Sequence, residues 1–435
     1  MEKIKIFFLS LLLFSQILAK HVKFTIQRQK DIYSDDDEEL SMNILENKMF
    51  CDINVGNQIV PFQISFDKEI TFIMDDNYTF SKYSISKSKT FKKKSEKTIS
   101  YVFDNIRYGY NASETFKLIN EDDDEIKVSD IPFILATYKE DKTSFQYPAQ
   151  LGLKRRTYNN PNIFNFVEQL KKKGVINSEV FFFKFDDKEG GELILGEYPH
   201  EYDKNYDSKY LIQSSSLEMG TSYNWFLHFN LLFIGEHQVD MSKMTSELSP
   251  EKGMLVMNLQ MEKIIYDNYF KDLIDQNKCI RIKIKPNINY VCQDDIDINT
   301  FPNITLRHQG MEYDFVLEPK DLFYHYYDRY FFLISFRDSF YIFLGKPFFK
   351  KFNLIFNQDS KQLAIYTFYE ENRSNKELTK IMVPTILIII FAILVGVFIL
   401  ILFRYKIKRK KLNEIEENFD YSPNPNKETR LTSIN

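Results

Sequence analysis

Between Lys48 and Tyr369 the chain is written in strand-length runs of Phe, Tyr, Ile and Val alternating with polar residues, and this pattern commits most of it to β-structure. Residues 50–55, 60–66, 179–185 and 341–344 are examples. Helical spacing appears at residues 163–173, closed by Gly174, and at residues 266–274. Roughly 320 residues of strands with two helices at comparable positions predict two similar lobes. With 41 Phe and 27 Tyr but 13 Gly in 435 residues, glycine is well below the roughly 7% typical of soluble proteins, so turn-making residues are scarce.

Charge and reactive side chains exclude several function classes. Lys and Arg total 57 against 61 Asp and Glu, and a net charge of -4 gives no basic excess for binding nucleic acid. Three cysteines exclude a disulfide-dense miniature scaffold. The six histidines, His21, His200, His228, His237, His308 and His325, have no metal-ligand spacing. No phosphate-binding glycine loop or nucleophile elbow is present either, so no metal and no cofactor is expected.

Both ends of the chain carry apolar runs. Residues 1–19 have a basic start, a short apolar middle and Ala19 at a cleavage position, the pattern of a secretory signal. Residues 381–403, from Ile381 to Phe403, contain no charge and are long enough to cross a bilayer. The basic cluster 404–411 follows directly and, by the positive-inside rule, is cytoplasmic. The expectation is a single-pass type I membrane protein whose ectodomain is extracellular or luminal, with a polar tail over 404–435. Asn77, Asn111, Asn303 and Asn372 stand in glycosylation sequons, all between signal and span. The acidic run 35–39 reads as part of a solvated N-terminal segment.

The ordered motifs resemble the pepsin-like aspartic proteases. Phe62-Gln-Ile-Ser-Phe-Asp67 is similar to the approach to that family's first catalytic aspartate, and Tyr101 stands where the flap tyrosine would be. Gln150-Leu-Gly-Leu153 and Gly190-Gly-Glu-Leu-Ile-Leu-Gly196 resemble the later elements of the first lobe. Tyr223-Asn-Trp-Phe-Leu-His-Phe229, Phe301-Pro-Asn-Ile-Thr305 and Phe343-Leu-Gly-Lys-Pro-Phe-Phe349 resemble those of the second, followed by Asn353-Leu-Ile-Phe-Asn357. The resemblance implies an all-β, bilobal fold with two β-rich lobes around a cleft, to which the apolar run 381–403 adds one C-terminal transmembrane helix. Together with the terminal runs it divides the chain into a signal (1–19), a prosegment-like region (20–46), lobes over 47–209 and 210–370, a stalk (371–380), the span (381–403) and the tail (404–435). Cys279 and Cys292 resemble a disulfide of the second lobe. Cys51 remains over, as a small buried residue or a thiol for intermolecular pairing.

The catalytic positions depart from the family. Its members activate water between two aspartates, one per lobe, each in an Asp-Thr-Gly or Asp-Ser-Gly turn. Here the first triplet is Asp67-Lys68-Glu69, which puts a cation beside the carboxylate and a bulky acid where glycine belongs. In the second lobe the run Gly253-Met-Leu-Val-Met257-Asn258-Leu259-Gln260 aligns Met257 with the second aspartate, leaving no carboxylate there. Glu69, Asp75, Asp76, Glu262 and Asp267 are nearby acids, expected to be solvated surface groups. In the flap, Val102 and Asp104 replace the family's glycines. The expected function is a catalytically inactive pseudoprotease whose interlobe cleft binds a peptide or protein. The alternatives are an active membrane-anchored aspartic endopeptidase with a non-standard dyad, and a purely structural surface glycoprotein.

Overall fold

The computed structural model of the chain describes residues 21–28, 36–46, 48–75, 81–95, 106–139, 148–154, 164–186, 190–214, 224–308 and 310–367, with residues 404 and 406. Met1–Tyr369 form one compact unit and Glu370–Asn435 a second. The signal-like residues 1–19, Asn77, Asn372, Tyr101 and the apolar run 381–403 lie outside the described residues. Among the described residues no helix is long and apolar enough to cross a membrane.

The first unit has the expected two-lobed, β-rich architecture. Among the described residues a 13-stranded sheet carries the N-terminal lobe. Its strands Met49–Val55 and Gln58–Ser65 form a hairpin whose turn places Gly56 and Asn57 at positive φ. Met49–Val55 buries its odd-numbered residues, as a period-two strand with one face on the core should. The same sheet takes up the chain's last strands: Ile355–Asn357 pairs with Val180–Phe185, and Gln362–Tyr366 with Leu211–Gln213. Among the described residues the second lobe has a 9-stranded and a 4-stranded sheet. The spacing at 163–173 and 266–274 is realised as the helix Phe166–Lys172, capped by Asn165, and as a helical run from Leu259 to Asp275 with a π-helical segment at Tyr266–Phe270.

The abundance of phenylalanine has a structural address. Phe66, Phe181, Phe183, Trp225, Phe349 and Phe356 form one buried cluster where the lobes meet, with the Phe66–Phe356, Phe181–Phe356 and Trp225–Phe356 rings 4.8, 4.9 and 5.1 Å apart. Each such ring stabilises the fold by about 1.5–3 kcal/mol through burial, and edge-to-face contacts add to this. Phe66 immediately precedes Asp67, so the first loop stands on a floor supplied by both halves of the chain.

The N-terminal region differs from the solvated segment expected. Val22–Arg28 is a strand of the large sheet, pairing with Gly191–Leu195, and its Val22, Phe24 and Ile26 are buried. The acidic run opens the helix Asp37–Leu45, where Asp36 accepts a hydrogen bond from the Glu38 amide and acidic residues suit the positive end of the helix dipole.

Candidate functional site

The first loop is set by a parallel pair. Gln58–Ser65 runs beside Ala149–Gly152 with Ser65 opposite Gly152, and the chain then turns through Asp67. A Cβ on Gly152 would meet the carbonyl carbon of Glu69 at 2.6 Å and the nitrogen of Ile70 at 2.7 Å, so only glycine permits this approach. The Asp67 side chain is 46% exposed. Its Oδ1 accepts a hydrogen bond from Ser65 Oγ at 2.8 Å, and Lys68 Nζ lies 3.5 Å from Oδ2.

The second lobe repeats this arrangement. Thr245–Leu248 runs parallel to Tyr341–Leu344, and the Ser249 amide donates to Leu344 O at 3.0 Å, which puts Ser249 level with Gly345. Leu255–Asn258 crosses antiparallel on the other side, with Val256 opposite Phe343, as Phe72 stands opposite Gln150 in the first lobe. A Cβ on Gly345 would meet Met254 O at 2.1 Å and Lys252 O at 2.6 Å. Two independent pairings give the same register: Ser249 matches Ser65 and Val256 matches Phe72, each pair 184 positions apart (249 − 65 and 256 − 72).

That register corrects the assignment of Met257. Met257 corresponds to Ile73, and both are fully buried residues of a core strand. The residue equivalent to Asp67 is Glu251, Lys252 repeats Lys68, and Gly253 holds the third position. Each lobe therefore supplies a carboxylate. A signal for this lay in the sequence: Ser65-Phe-Asp-Lys and Ser249-Pro-Glu-Lys are an internal repeat, obscured by Glu in place of Asp and by the apolar run at 254–257.

The two loops sense each other electrostatically. Burial and the charge of Asp67 push the Glu251 carboxyl up to about 8, against the opposing pull of its own backbone amide and Lys252. Glu251 Oε2 is buried and accepts no hydrogen bond among the described residues. Glu247 is also raised, first by burial and then by Asp67, although Asn224 Nδ2 donates to its Oε1 at 2.5 Å. Lys154, at the end of the Gln150–Leu153 segment, is lowered by burial while Glu69 and Asp67 pull it back. Its backbone is held from both sides, the amide donating to Lys68 O at 2.9 Å and the carbonyl accepting from Asn165 Nδ2 at 2.7 Å. Asp67, Glu247, Glu251 and Lys154 are thus among the titratable groups at the junction, with Lys68, Glu69 and Lys252 beside them, and Glu247, Glu251 and Lys154 were not singled out from the sequence.

Other assigned residues lie elsewhere. Glu262 is not a solvated acid: it is buried, accepts hydrogen bonds from Arg281 Nε at 2.9 Å and from the Tyr290 hydroxyl, and belongs to the core of the second lobe. Asp75 is likewise buried, whereas Asp267 is exposed and Asp76 lies outside the described residues. Cys279 and Cys292 face each other across an antiparallel pair and are joined by a disulfide. Cys51 is buried in its strand, where burial pushes the thiol up, and this places it as a packed small residue. Among the acceptor asparagines, Asn303 is exposed and Asn111 half-buried. No metal-binding cluster of His, Cys, Asp or Glu occurs among the described residues.

A family model described as eukaryotic aspartyl protease matches residues 64–367. Among solved structures the chain is similar to conglutin gamma, a basic 7S globulin from lupine seeds, at 10% identity and a TM-score of 0.59, covering 81% of this chain and 96% of that one. It is similar to the basic 7S globulin from soybean at 12% identity, with the same TM-score and coverage. At such identities the likeness concerns the fold alone. No curated protein matches the chain.

Proposed function

Since the chain belongs to the eukaryotic aspartyl protease family, we propose that it is a membrane-tethered member that holds an extended peptide or protein segment in its interlobe cleft without hydrolysing it. The observation that carries this reading is the state of Asp67. Its carboxylate is half exposed and engaged by Lys68 and Ser65, where a water-activating pair needs both carboxylates fixed and free to share a proton. Lysine stands in both loops at the position of the family's hydroxyl residue, and Glu69 replaces the first glycine. The fold's framework is nevertheless intact, down to Gly152 and Gly345. Paired strands at a cleft offer edges and apolar surface suited to an extended ligand. Residues 381–403 tether the ectodomain in this reading, with residues 1–19 directing it to the secretory pathway and Asn303 exposed for glycosylation.

One observation favours a second reading, an active endopeptidase. Glu251 brings a carboxyl that holds its proton at neutral pH to the position of the second aspartate, and a protonated acid beside an ionisable one is the starting state for activating water. A peptide array probed with the purified ectodomain, scored for both binding and cleavage between pH 4 and pH 8, separates the two. Retained, uncleaved peptides support the first reading. Turnover abolished by Asp67→Asn and by Glu251→Gln establishes the second, and neither binding nor cleavage leaves a structural glycoprotein.

A further inference from the structure

Before Lys48, the described residues 21–28 and 36–46 reach both lobes. His21 is buried against Glu197, 3.2 Å from Oε2, and its ring lies 4.3 Å from that of Tyr202. The strand Val22–Arg28 then pairs with Gly191–Leu195 for five residues, touches the strands Ile106–Asn120 and Met49–Val55, and places Phe24 against Phe166. All of these contacts are to the N-terminal lobe. The helix Asp37–Leu45 contacts the other one: Leu40, Ile44 and Leu45 are buried in a cluster with Met254, Val256, Ile282, Val291 and Phe331. Asp37 forms an ion pair with Arg329, and the carbonyl of Leu45 accepts a hydrogen bond from the amide of Gly253 at 3.1 Å.

The hydrogen bond to Gly253 and the packing on Met254 and Val256 fall on the site. Gly253 is the third residue of the Glu251-Lys252-Gly253 loop, and Met254 and Val256 continue it into the core. The other side of the loop is held by the Lys346 amide, which donates to Lys252 O at 2.7 Å. The loop is therefore fixed from within its own lobe by the segment after Gly345 and from outside it by the N-terminal helix.

We propose that the strand Val22–Arg28 and the helix Asp37–Leu45 act as a permanent strap, retained in the mature protein, whose helix positions the Glu251 loop against Asp67. The strand half anchors it in the first lobe's sheet and the helix half clamps the second lobe's loop. Leu45 and Asp37 act here as positioning residues and touch no ligand. The consequence for ligand binding rests on the cleft reading above, whereas the strap itself does not.

The test uses the ectodomain secreted from eukaryotic cells. Intact-mass analysis with N-terminal sequencing should find a chain that still contains His21. A folded protein beginning after Leu45 would overturn the proposal. Amide exchange in Asp37→Asn, and in Ile44→Asp where it folds, should then accelerate at Gly253 by about tenfold or more while the strand Gln58–Ser65 stays unchanged. Unaltered Gly253 exchange in Asp37→Asn would also overturn it. Peptide binding measured on the same variants reads the cleft separately: altered exchange with no binding in any protein retains the strap and removes the cleft reading.

Discussion

At Glu251 the side chain's chemistry depends on its place in the register. Its carboxyl is held protonated in the folded protein, while in the unfolded chain it ionises near the usual glutamate value. A carboxyl raised in the folded state stabilises the fold relative to the ionised form at low pH, and that contribution is lost as pH rises through the folded value. Glu251→Gln, which fixes the neutral form, should leave thermal stability nearly unchanged near pH 4 and gain on the parent between about pH 5 and pH 8, by on the order of 4 kcal/mol at the top of that range. Parallel pH series of melting temperatures for the two proteins check this, and curves that stay parallel contradict it. Glu262 has the opposite character. It is a buried acid satisfied by Arg281 and Tyr290, so Glu262→Ala leaves a guanidinium and a hydroxyl without their acceptor. We expect a loss of about 3 kcal/mol in urea unfolding. These two glutamates lie eleven positions apart (262 − 251), and the one at the site is masked in the sequence because an apolar run ending in Met257 imitates the approach to an aspartate more closely than Ser249-Pro-Glu does.

Elements were more legible than loops. Strands at 50–55, 60–66, 179–185 and 341–344 appear within a residue or two of their expected limits, because alternation and aromatic content act locally. The second-lobe register was not legible, since it depends on which strand lies between which others, and Tyr341–Leu344 comes from far along the chain to lie between Thr245–Leu248 and Leu255–Asn258. The N-terminal acidic run has the pattern of a solvated segment because its charge outweighs the three apolar residues, Leu40, Ile44 and Leu45, that dock its helix. Gly345 makes the register testable. Its missing Cβ leaves room for backbone oxygens of residues 252 and 254, so Gly345→Ala should cost about 3 kcal/mol and displace the Glu251 loop, seen as loss of binding together with a lowered unfolding midpoint. The hairpin carrying the disulfide is peripheral to this. Cys279 and Cys292 close a short loop, 13 positions apart, and replacing both by serine should lower stability by about 2–3 kcal/mol without altering the charged groups at the junction.

Over the whole molecule, the architecture separates what folding requires from what hydrolysis requires. Two lobes repeat one strand arrangement, the phenylalanine cluster joins them, and glycine is kept at Gly152 and Gly345 where strand and loop backbones come close. The positions that would orient a shared proton have changed: Lys68 and Lys252 replace hydroxyl residues and Glu69 replaces glycine, although both carboxylates remain. The N-terminal segment, packed into both lobes, belongs to the folded body. A cleft with this framework keeps the means to bind an extended chain while its first carboxylate is engaged by a cation. The measurement that bears most directly on this is incubation of the purified ectodomain with a diverse peptide library across pH 4 to 8, followed by mass spectrometry of both bound and product peptides. A retained set of intact peptides with no new termini is expected; new termini that disappear in Asp67→Asn and Glu251→Gln would overturn the pseudoprotease reading.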